Sequence, residues 1–107
     1  MRNAKSVKKT GQTKADKVQG GVDAVLDERG ARYGKFITHA EITQLLKYVI
    51  FNSRDDLDLA PDQREALEMI CHKIGRIING DPNYVDSWVD IAGYAKLVAD
   101  RLSGVER

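Results

Sequence analysis

One cysteine in 107 residues leaves no partner for an internal disulfide. Cys71 sits between Ile70 and Ile74 in an apolar pattern, which reads as a buried structural thiol rather than a nucleophile. No window approaches the roughly 18 to 20 apolar residues of a membrane span. The start, MRNAKSVKKTG, lacks the apolar run of a signal peptide, so the expected compartment is the cytoplasm. There is no P-loop, no dinucleotide fingerprint and no Ser-His-Asp order with a nucleophile elbow. His39 and His72 lack partners at metal-ligand spacing, which turns the reading away from zinc. Strands are missing too: KFITHA is short and overridden by a helix-start signal, and no repeat or low-complexity segment occurs.

What remains is a 42% hydrophobic, 31% charged chain with room for one domain, the balance of a soluble globular protein. Its net charge of +1 hides an asymmetry: residues 1–20 hold six basic side chains against Asp16 alone, and the remainder is acidic. Such a tail can touch nucleic acid, but it has no aromatic residue to stack on bases and reads as a mobile, solubilising extension. Gly20-Gly21 marks the expected boundary, with a basic flexible tail over 1–20 and a helical domain over 21–107.

Within the domain the apolar spacing predicts an all-α small helical bundle of three substantial helices plus one short N-terminal helix. The short segment is VDAVLDER, ended by Gly30. Thr38 and Glu41 form a capping-box pattern before Ile42, Leu45, Leu46, Val49 and Ile50, which fall on one helical face. Pro61 takes the favoured first position of the next helix. Its expected core stripe is Leu67, Ile70, Cys71, Ile74 and Ile78, with Met69 and Ile77 well off it. Apolar residues over so wide an arc place that helix at the centre of the bundle or beneath another subunit. Asn79-Gly80 ends it, and a last helix runs from about Tyr84 to Leu102 with Trp88, Ile91, Ala95, Val98 and Leu102 facing inward. A chain this small buries only about 60% of its unfolded surface, so pairing between subunits is expected to supplement the core.

On the last helix Asp86, Asp90, Gly93 and Leu97 share one stripe. Two acids at that spacing offer oxygen ligands to Mg²⁺, and Gly93 predicts a close helix–helix approach. Lys73 and Arg76, one turn apart on the preceding helix, offer charge to phosphates; the plainer alternative is an interhelix salt bridge among the same groups. Arg29, Arg32, Tyr33 and Gly34 form a second cluster, in which two arginines about a glycine turn can face an anion and Tyr33 can stack on a base; surface ion pairs and a tyrosine lid on the core explain it equally well. Glu65 and Glu68 share a polar side with His72, which reads first as a solvated face.

RGARYGKF, an apolar helix, ALEMICHKIGRIINGD and DSWVDIAGYAKLV, in that order, resemble a family of small phage- and prophage-encoded helical proteins of unassigned function. More distantly the helix pair is similar to the all-α nucleoside triphosphate pyrophosphohydrolases of the MazG type. That resemblance implies a MazG-like fold, a dimer or tetramer, and Mg²⁺ held by acids on adjacent helices. Glu65 and Glu68 match two acids of that family's first motif and Asp90 the last acid of its second, with two of the five absent; Asp86 would substitute in a different geometry. The combined expectation is a homo-oligomer, in the host cytoplasm if phage-encoded, that binds a nucleotide or related phosphorylated ligand. In it Asp86, Asp90 and Glu68 act on a metal-activated water, with Mg²⁺ on Asp86 and Asp90; Lys73, Arg76, Arg29, Arg32, Tyr33 and Tyr94 line the ligand. The alternative is a non-catalytic phage protein that sequesters a nucleotide signal or binds a host defence protein.

Overall fold

The computed structural model describes residues 13–107, and residues 1–12 of the expected tail lie outside the described part. The described chain is all-α: α1 (Lys14–Tyr33), α2 (Phe36–Phe51), α3 (Pro61–Asn79) and α4 (Val85–Leu102). None of these helices is long and apolar enough to cross a membrane.

The first helix is longer than the sequence predicts. α1 spans 20 residues and runs straight through Gly20, Gly21 and Gly30, so the expected tail–domain boundary falls inside a helix. Glycine lowers helix propensity by about 1 kcal/mol without forbidding the conformation. Neighbours one turn apart support α1: Gln19 donates to Asp23 at 3.2 Å, and Arg32 pairs with Glu28 at 2.6 Å. The chain reverses instead at Gly34, whose φ of 82° is the left-handed conformation that glycine adopts freely. This turn sets α2 going at Phe36, with extended Lys35 as N-cap. Thr38 therefore lies within the first turn, and the expected capping box with Glu41 does not form.

α3 begins as predicted at Pro61, where the Gln63 side chain accepts the Ala60 backbone N–H at 2.8 Å. Its far end is tied to the α1–α2 turn. Asn79 Nδ2 donates to the carbonyls of Tyr33 and Lys35, both at 2.9 Å, and Asp81 N–H donates to the Arg32 carbonyl at 2.9 Å. Tyr84 caps α4.

α3 is the middle helix of a layer: α2 and α4 pack on it from either side and do not meet each other. Gly75 faces α2, close to Thr43 and His39, whereas Lys73 faces α4 through an ion pair with Asp90. Two buried faces on one helix shift the core from the predicted stripe. Ile78, placed on the core stripe, is 68% exposed, while Ile77, off it, is buried, in keeping with the central position that the wide apolar arc predicts; Leu67, Ile70 and Ile74 are half-buried. The seams are filled by Thr43, Ala66, Cys71 and Ser87, with His39 and Lys73. Leu45, Val49, Trp88, Ala95 and Leu102, expected inward, are exposed, and the Trp88 ring N–H donates to the Pro82 carbonyl at 2.9 Å. Small side chains let the helices approach closely, and that leaves the larger ones outside.

Candidate functional site

The Gly34 turn brings the end of α1, the start of α2 and the last turns of α3 together around a cavity of about 310 Å³. Leu26, Arg29 and Tyr33 enter from α1, Lys35 from the link, Phe36 and His39 from α2, and His72 and Arg76 from α3. Among the described residues three cationic side chains line this pocket and no carboxylate does. The Arg76 guanidinium lies 4.4 Å from the centre of the Tyr33 ring, which holds it in place by cation–π attraction.

The two histidines form the floor, with ring centres 5.8 Å apart. His72 Nε2 accepts from Lys47 Nζ at 3.0 Å, which fits a neutral imidazole. His39 is buried; Thr43 Oγ1 lies 3.4 Å from its Nε2, and its Nδ1 has no hydrogen-bond partner of good geometry. Burial first, and then the Arg76 charge, lowers the His39 pKa below its ordinary value, against a smaller opposing pull from the Gly75 backbone. His72 is lowered in the same way by burial and then by Lys47, His39, Arg76 and Lys73.

Both shifts disfavour the charged ring in the folded chain, so the unfolded chain binds more protons once the pH drops below the ordinary histidine value of about 6.5. Their contribution to stability is complete above that pH and is lost as the pH falls toward the lowered folded values. Melting temperature measured from pH 8 down to pH 5 is expected to decline, and His72→Gln to flatten the decline. An unchanged slope in that variant would show that His72 does not carry it.

The expected ligand residues are divided among four places. Arg29, Tyr33 and Arg76 meet in the pocket. Arg32 turns away: it pairs with Glu28, donates to the Tyr84 hydroxyl at 3.1 Å, and stacks 4.3 Å from the Tyr84 ring centre. Lys73 lies across α3 in its 2.9 Å ion pair with Asp90. That places one acid and one base together as an interhelix bridge, the plainer of the two readings. Tyr94 lines a larger groove of about 450 Å³ between the start of α3 and the end of α4. There Arg101 is held by Asp62 in a two-point contact of 2.8 and 2.6 Å, so its charge is already compensated. Size favours that groove, but uncompensated charge favours the Arg29–Arg76 pocket.

The acids proposed for Mg²⁺ are likewise engaged. Asp86 accepts from the Tyr84 hydroxyl at 2.9 Å, Asp90 holds Lys73, and Glu68 pairs with Arg64 at 3.1 Å. Among the described residues no group of three or more His, Cys, Asp or Glu side chains is gathered for a metal. As arranged, a lysine ammonium occupies the Asp90 carboxylate that a cation would need, so these residues do not fit a Mg²⁺ site. Among the described residues of the single chain Gly93 makes no close contact, for a Cβ there would meet nothing within 4 Å, so the expected close helix approach is not made within the chain.

The sequence pattern does not single out Lys35, Phe36, His39 or His72 as ligand residues. Phe36 and His39 stand one turn apart, and that spacing was the signal available for the pair.

The chain is thus a small all-α protein with a basic pocket where three helices converge. It belongs to the domain of unknown function family DUF6378, whose model matches residues 18–102. Comparison with curated proteins and with solved structures gives no match.

Proposed function

We propose that the chain binds a phosphorylated, nucleotide-like ligand in the pocket between α1, α2 and α3. The observation that carries this reading is that, among the described residues, Arg29, Lys35 and Arg76 line the pocket and no carboxylate does. Guanidinium groups match phosphate oxygens in a planar fork, and Lys35 adds a point charge. Tyr33 and the exposed Phe36 supply ring faces for a base. The volume is at the lower end of small-molecule sites, which suits a compact ligand. Binding without turnover is the form of the proposal, because Asp86, Asp90 and Glu68 are each held by another side chain. Of the expected roles, retention of a nucleotide signal is the one this pocket serves.

Equilibrium binding to a panel of nucleoside mono-, di- and triphosphates, with and without Mg²⁺ and with product analysis, tests it. Retention of an intact nucleotide is expected, weakening as salt rises. Arg76→Ala should weaken it by roughly tenfold to a hundredfold, the usual worth of a charge-assisted hydrogen bond. Pyrophosphate release would overturn binding without turnover, and no retention across the panel would remove the pocket reading.

A further inference from the structure

We propose that two copies of this chain pair through the outer face of α4, antiparallel and centred at the level of Ile91. The inference is independent of the ligand pocket, which α4 does not line.

The first ground is a core too thin for one chain. Ile77 alone among the aliphatic side chains larger than alanine is buried in the described part, still 8% exposed, and the other seam residues are small or polar. On α4, Val85, Val89 and Leu97 are each at least half exposed. With Gly93 they form an unbroken row at four-residue spacing, and most of that row lines a shallow apolar groove. A helix face of this kind is covered in the functional state.

The second ground identifies the occupant. Residues of this face are arranged symmetrically about position 91: Val85 mirrors Leu97, Asp86 mirrors Lys96, and Val89 mirrors Gly93. When two copies of α4 cross antiparallel at that level, each Val89 meets the other copy's glycine. Valine fills the space that the missing side chain leaves, and the backbones approach closely. Each Asp86 then meets the opposite Lys96, twice over by the two-fold axis. A two-fold interface requires a self-complementary patch, and this row is self-complementary in both size and charge. Asp86 uses one oxygen for Tyr84, and Lys96 shares its ammonium with Asp100, so each keeps capacity for a second partner. A foreign protein has no reason to match that mirror order.

Sedimentation of the full chain at micromolar concentration is expected to show a dimer or a larger even assembly; a monomer overturns the proposal. Asp86→Lys places like charges opposite Lys96, and Lys96→Asp places them opposite Asp86, so each variant should associate roughly tenfold more weakly or worse. Mixing the two restores opposite charges at both contacts, and a mixed dimer should form where neither variant pairs with itself. Both variants alter exposed side chains, so neither test depends on a damaged core. A wild-type dimer in which the single reversals have no effect, or in which mixing restores nothing, places the contact elsewhere and overturns this register.

Discussion

Gly34→Ala is expected to lower stability by about 2 to 5 kcal/mol, the sum of backbone strain and a forced contact. The backbone at Gly34 has φ 82°, which alanine adopts only at a cost. A Cβ there would also press on the Asn79 carbonyl and stand 2.7 Å from the Asn79 amide nitrogen. That amide holds the carbonyls of Tyr33 and Lys35, so it cannot move aside without losing both bonds. In a domain of this size the loss should reduce the melting temperature by roughly 10 °C or more. Gly30→Ala is the control: a Cβ at that exposed helical position meets nothing within 4 Å, so it should stabilise by about 0.5 to 1 kcal/mol. Equal melting of the two variants would mean that the turn does not dock on α3, and the pocket would lose its walls.

This turn also shows how far the sequence could be read. Of the cluster predicted around Gly34, Arg29 and Tyr33 do converge with it, whereas Arg32 turns away to Glu28 and Tyr84 and Lys35 lines the pocket instead. Arg76 joins them, because the end of α3 was placed correctly from Asn79-Gly80. Helix number, Pro61 at the head of α3 and Tyr84 at the head of α4 follow from punctuation that acts locally. What escaped was governed by partners in other elements. Lys73 and Arg76 are one turn apart, yet α3 is gripped on two sides, so a modest angular difference sends one to Asp90 and the other to Tyr33. The wide apolar arc of α3 does predict its central place, but not which side chains its two covered faces bury: Ile77, off the stripe, is buried and Ile78, on it, is exposed. His39 and His72 become neighbours only when α2 packs on α3. Gly20 and Gly21 suggest a break because glycine permits one, but permission is not a cause, and the helix continues through them.

The second large effect is expected at the Lys73–Asp90 bridge, and it should be asymmetric. The Lys73 side chain is 11% exposed and that of Asp90 is 45% exposed. Asp90→Asn removes the charge that compensates a buried ammonium. Breaking a fully buried pair from one side costs about 3 to 5 kcal/mol, and the half-exposed position of Asp90 reduces the expected loss to about 1 to 3 kcal/mol. Lys73→Met is different, since it removes the buried charge, keeps most of the apolar stem, and leaves Asp90 with access to water. That variant should lie within about 1 kcal/mol of the wild type. Denaturant unfolding of both, and of the double variant, measures the asymmetry as well as the coupling. The same proteins separate a structural bridge from a ligand site on α4. Nucleotide retention in the Arg29–Arg76 pocket should survive Asp90→Asn, because Asp90 lies across α3 from that pocket. If Asp90→Asn left stability untouched but abolished Mg²⁺-dependent retention, the site would have to be moved to α4. Asp90 would then be a metal ligand for which Lys73 holds the place.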